Sequence, residues 1–113
     1  MIISKAYTFE ASHQLPWHNG KCARLHGHSY ILVVYVRGEL DDNGIVLDFY
    51  DLSQLVNREV IEKYDHRNLN DYFKNPTAEL MAQDFLQLLH SQDQKIFKVR
   101  LFETAKAYAE AEI

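Results

Sequence analysis

Cys22-Ala23-Arg24-Leu25-His26-Gly27-His28-Ser29-Tyr30-Ile31-Leu32-Val33-Val34-Tyr35-Val36 is the stretch on which the fold turns. From Ser29 to Leu40 the chain is dense in β-branched and aromatic residues, which fit a pleated, half-buried surface, so this segment is predicted to be a strand. In extended backbone His26 and His28 project from the same face, roughly 6.5 Å apart by the rise per residue. Two imidazoles placed in this way can grip one metal ion.

Upstream, Met1 to His13 alternates loosely, with Tyr7, Phe9, Ala11 and His13 on one face, and predicts a second strand. Pro16 and Asn19-Gly20 break the pattern and place Cys22 on a loop. Downstream, Asp41-Asp42-Asn43-Gly44 reads as a turn. Ile45 to Phe49 then leads into a helix with Asp51 as N-cap and Gln54 three residues on. Leu52, Leu55, Val56, Val60 and Tyr64 form its apolar stripe.

Tyr64 to Asn70 reads as a polar loop, and Asn75-Pro76-Thr77-Ala78-Glu79 as a second helix start with Pro76 in the first turn. Met81, Phe85, Leu88 and Leu89 supply its stripe. Ile96 to Glu103 and Lys106 to Ile113 read as two strands with a turn around Thr104-Ala105. The order ββααββ predicts an α+β fold, a four-stranded antiparallel sheet with both helices on one face. Two open sheet edges favour pairing with another subunit, so a homo-oligomer is expected.

No repeat or linker divides the 113 residues, and a single domain over 1–113 is expected. The 47% apolar and 25% charged residues are ordinary for a folded globular chain. A net charge of −4 without a cluster of Lys and Arg argues against nucleic acid as a partner. The longest apolar run, Tyr30 to Val36, is far too short to span a bilayer, and no basic segment followed by an apolar core opens the sequence. The single cysteine cannot form an internal disulfide, which suits a reducing compartment; a cytoplasmic protein is expected.

With His13 on the neighbouring strand, His26 and His28 complete the three-imidazole set of a zinc site whose fourth position stays open for water or substrate. Cys22 leaves the reading divided. As a fourth ligand it closes a structural site, whereas as a free thiol near zinc it takes or returns protons. The histidines also admit a plainer role, bonding to backbone groups. Asp65-His66 offers an acid/base residue beside a carboxylate, and Glu103 is a carboxylate at the end of an apolar strand; neither has a task in a simple zinc staple.

Phe9-Glu10-Ala11-Ser12-His13, Cys22-x3-His26-Gly27-His28-Ser29-Tyr30, Gly44-Ile45-Val46-Leu47-Asp48-Phe49, Asp65-His66-Arg67-Asn68-Leu69-Asn70, Asn75-Pro76-Thr77-Ala78-Glu79 and Glu103-Thr104 stand in the order of the 6-pyruvoyl-tetrahydropterin synthase family, which the chain resembles over nearly its whole length. The three residues between Cys22 and His26 are similar to the branch that serves queuosine (7-deazaguanine) synthesis. In the pyruvoyl-forming enzymes the interval is usually longer.

The resemblance implies that His13, His26 and His28 bind Zn2+, that Cys22 is the proton acceptor, that Asp65 and His66 relay protons, and that Glu103 receives the N–H groups of a pterin ring. It implies 7,8-dihydroneopterin triphosphate as substrate, with 6-carboxy-5,6,7,8-tetrahydropterin, triphosphate and acetaldehyde as products. It also implies the tunnelling fold, in which three sheets close into a barrel and two trimers stack as a hexamer with active sites between subunits. Lys21, Arg24, Arg67 and Lys74 are candidates for the triphosphate by their nearness to the motifs.

Overall fold

The computed structural model describes residues 1–113. Two long strands, β1 (Ile2–His13) and β2 (His26–Arg37), pair antiparallel from Ile2 opposite Arg37 to His13 opposite His26. A helical run over residues 49–64 follows, then a two-residue strand β3 (Arg67–Asn68), a second helix (Ala78–Gln92), and the hairpin β4 (Ile96–Thr104) and β5 (Ala107–Glu112). The sheet order is β3-β1-β2-β4-β5. No helix is long and apolar enough to cross a membrane.

The expected α+β architecture and its two helices are present, but the sheet has five strands and is mixed rather than four-stranded and antiparallel. The difference is β3, which pairs parallel with Ala11 and Ser12 of β1. A strand of two residues carries no period that a sequence pattern can reveal. The second strand also begins at His26, three residues earlier than expected, so both its histidines lie within the ladder.

Alternation decides what is inside. Tyr7, Phe9, Ala11 and His13 of β1, Tyr30, Leu32, Val34 and Val36 of β2, and Val99 and Leu101 of β4 are buried against the helices. The first helix is capped by Asp48, whose carboxylate accepts from the Tyr50 N–H at 2.7 Å, rather than by Asp51. Its buried residues Leu52, Val56, Val60 and Tyr64 advance in steps of four, and each step overruns a 3.6-residue turn by about 40°. A π-helical segment, Asn57–Ile61, takes up the surplus and keeps the stripe on the sheet.

The second helix is capped by Thr77, whose Oγ1 accepts from the Leu80 N–H at 3.2 Å. Pro76 therefore precedes the cap instead of occupying the first turn. Met81, Phe85 and Leu89 are buried as expected; Leu86 is buried too, while Leu88 is only half-buried. Phe85 meets Phe9, Tyr64 and Phe73 with ring centroids 5.5–6.3 Å apart, joining sheet and both helical layers in one aromatic cluster.

Candidate metal centre

The long hairpin brings His13 of β1 directly opposite His26 of β2, and His28 lies on the same face two residues on. The ligating nitrogens of His13, His26 and His28 all lie within 4.8 Å of one another. His13 is fully buried, and His26 and His28 are partly so. The three rings pack edge to face, with centroids 4.6–5.1 Å apart.

Carbonyl oxygens only accept, and this fixes two tautomers. His13 donates its Nδ1–H to the Pro76 carbonyl at 2.8 Å, and His26 donates its Nδ1–H to the Arg24 carbonyl at 2.6 Å. In its neutral form a ring anchored in this way presents a bare Nε2 lone pair, and these two nitrogens face each other at 3.1 Å. Two ligands of a tetrahedral metal at bond lengths of 2.0–2.1 Å stand about 3.3 Å apart, so the spacing matches a shared ion. Metal-binding histidines commonly anchor the other ring nitrogen in this way.

His28 adds the third donor. Its Nε2 is buried without a hydrogen-bond partner. Burial pushes its pKa down, opposed by the Glu103 carboxylate and assisted by the two neighbouring imidazoles, so the ring is held neutral with its lone pair available. Glu103 Oε1 lies 3.5 Å from this nitrogen, an electrostatic contact rather than a made bond. Three neutral imidazoles without a thiolate fit a metal ion with an open position.

Glu103 also borders a cavity of about 410 Å³, lined by Ala78, Glu79, Ala107, Tyr108, Ala109 and Glu110, large enough for a small ring system. Cys22 is free and half-buried on a helical turn, Lys21–Ala23, and its sulfur is not among the atoms that converge within 4.8 Å. Asp65 and His66 stand elsewhere, at the β3 edge. Asp65 accepts the Glu10 N–H at 2.9 Å and pairs with His66 Nδ1 at 3.0 Å. The Glu10 N–H, then His66, hold the Asp65 pKa below its usual value.

One chain thus joins His13, His26, His28 and Glu103, while Cys22, Asp65 and His66 are not among the groups that converge there. Lys21, Arg24, Arg67 and Lys74 are all exposed, and none of them forms an ion pair. Sequence reasoning missed Tyr30, which is fully buried with its hydroxyl 3.4 Å from His13 Nδ1. Burial first, and Glu103 second, raise its pKa and keep the phenol protonated. Its position two residues after His28, on the same strand face, was the available signal. The carbonyls of Pro76 and Arg24 carry no such signal.

Known proteins resemble the chain over most of its length. The chain is 38% identical over 116 residues to the 6-carboxy-5,6,7,8-tetrahydropterin synthase of Synechocystis, covering 96% of this chain and 90% of that protein. It is 41% identical over 81 residues to the dihydroneopterin monophosphate aldolase of Pyrococcus furiosus, covering 72% and 67%. Its fold superimposes on the 6-pyruvoyl tetrahydropterin synthase of Caenorhabditis elegans with a TM-score of 0.90 at 28% identity, over 100% of this chain and 95% of that one. The model of the 6-pyruvoyl tetrahydropterin synthase family matches residues 2–113, and the chain belongs to that family of pterin-converting enzymes.

Proposed function

We propose that this chain converts 7,8-dihydroneopterin triphosphate and water to 6-carboxy-5,6,7,8-tetrahydropterin, triphosphate and acetaldehyde, as a zinc-dependent lyase of queuosine (7-deazaguanine) synthesis acting in the cytoplasm. The observation that carries the reading is the convergence of three imidazole nitrogens beside Glu103 and its cavity. The likeness to the Synechocystis synthase supports the choice of product.

His13, His26 and His28 would hold Zn2+, which when bound supplies a Lewis acid that polarises a side-chain oxygen of the substrate. Glu103 accepts two parallel N–H bonds from the guanidine-like edge of the pterin and so aims the side chain at the histidines. Cys22 accepts a proton from side-chain carbon onto its sulfur. His66, oriented through Nδ1 by Asp65, holds a proton at Nε2 for return to the substrate.

Since Asp65-His66 sits at the β3 edge, its service to such a site comes through a neighbouring copy. The free edges of β3 and β5 suit assembly of three sheets into a barrel and of two trimers into a hexamer. The test is turnover of dihydroneopterin triphosphate with and without chelator. Release of acetaldehyde that stops on chelation is expected; a pyruvoyl product without acetaldehyde assigns the chain to the pyruvoyl-forming reaction instead. A noncatalytic zinc-stabilised module would give no turnover. A second reading, aldol cleavage of dihydroneopterin monophosphate, is favoured by the likeness to the Pyrococcus aldolase, and the same assay with that monophosphate distinguishes it.

A further inference from the structure

The loop between β1 and β2 carries Cys22, and its internal bonds are all local. Leu15 N–H donates to the Cys22 carbonyl at 2.8 Å, His18 N–H to the Leu15 carbonyl at 2.9 Å, and Gly20 N–H to His18 Nδ1 at 2.8 Å. From residues 15–23 a single side-chain hydrogen bond reaches the rest of the chain: Trp17 Nε1–H donates to Asn75 Oδ1 at 2.8 Å. The indole is 60% exposed, so burial of the ring does little to hold it and the N–H bond is its main tie.

Asn75 is no ordinary surface acceptor. It precedes Pro76, whose ring fixes its own φ and restricts the residue before it, and Thr77 caps the second helix immediately after. Pro76 is also the residue whose carbonyl takes the His13 Nδ1–H. Two adjacent residues therefore fix both the buried imidazole and the tip of the thiol loop. We propose that Trp17 is a positioning residue for Cys22, and that its bond to Asn75 sets where the thiol stands relative to His13 and the metal centre it helps to form.

The catalytic consequence rests on the reading of Cys22 as the proton acceptor, but the positioning does not, and it is open to measurement without substrate. Trp17→Phe deletes only the indole N–H, and Asn75→Ala deletes only its acceptor. In each variant the reaction of Cys22 with iodoacetamide speeds up by about fivefold, the weight of one net hydrogen bond of about 1 kcal/mol. Because both changes break the same bond, the double variant reacts no faster than either single one. Asn75→Asp, which keeps an acceptor oxygen, returns the alkylation rate to that of the unmodified protein.

Zinc content stays unchanged in Trp17→Phe and the thermal midpoint falls by only about 4–6 °C, the loss expected for about 1 kcal/mol in a domain of this size, while kcat falls about tenfold and KM holds, since misplacing the thiol affects the reacting geometry more than binding. Unchanged alkylation in both single variants, or additive effects in the double, overturns the proposal. If unmodified protein shows no turnover at all, the functional reading fails while the thiol measurement still decides the positioning.

Discussion

His13 Nε2 and His26 Nε2 face each other at 3.1 Å, while each ring directs its Nδ1–H to a backbone carbonyl. Two lone pairs at this distance repel unless a cation lies between them, or one ring takes up a second proton. A metal ion held between the two nitrogens would supply that charge.

Removing that charge should lower stability. A ligand that binds only the folded state adds about 2.7 kcal/mol when present at 100 times its Kd. Chelation of metal-loaded protein is expected to lower the thermal midpoint, with zinc restoring it. His13→Ala should abolish the difference, because it removes a donor along with its anchor on Pro76. Equal midpoints with and without chelator would count against a metal centre.

Cys22→Ala separates catalyst from ligand. The sulfur lies outside the converging donor set, so the variant should keep its metal content and its melting temperature. Turnover should fall by roughly 10²- to 10⁴-fold, the usual contribution of a positioned acid or base. Loss of metal in parallel with activity would instead make the thiol a fourth ligand.

Asp65→Asn tests the anchor of His66. The carboxylate pKa is depressed in the folded chain by the Glu10 N–H and His66, so over the window below its ordinary value of 3.8 the unfolded chain binds more protons. The stabilisation is present above that value and is lost as pH falls through the lower folded one. Urea midpoints between about pH 2 and 6 should show this acid-limb slope in the unmodified protein and a shallower one in the variant. Superimposable slopes would mean that the Glu10 contact contributes nothing.

Phe85→Ala should cost about 3–5 kcal/mol, read as a lower denaturant midpoint at unchanged slope. The ring is fully buried and touches Phe9, Tyr64 and Phe73, so its loss leaves a cavity bounded by both helical layers and β1.

Much of this was legible because side-chain periods report on faces. The spacing of His26 and His28 and the alternation ending at His13 place three imidazoles on one surface whatever the loop between them does. Pairing between distant backbone groups leaves no such mark. The bond from the Glu10 N–H to Asp65 spans 55 residues and turns an apparent polar loop into the anchor of β3. The Pro76 carbonyl, which orients His13 from 63 residues away, belongs to a residue type chosen for its ring rather than its oxygen. The π-helical turn was hidden for a related reason: steps of four residues look like an ordinary stripe until the angular surplus is added up.

Glu103→Gln probes the step from metal centre to substrate. The carboxylate lines the cavity 3.5 Å from His28 Nε2, near enough to oppose the fall that burial imposes on that ring's pKa but not hydrogen-bonded to it. Its charge is thus available to N–H groups arriving from outside. Glutamine presents one N–H of its own towards a ring edge that only donates, and it carries no charge. A charge-assisted bond contributes about 1.5–3 kcal/mol, so the Kd of a non-reacting pterin should rise roughly 10- to 150-fold in fluorescence titration. Metal content should hold, because all three imidazole donors remain. A variant that loses metal while still binding the pterin would show Glu103 serving the histidines rather than the ring.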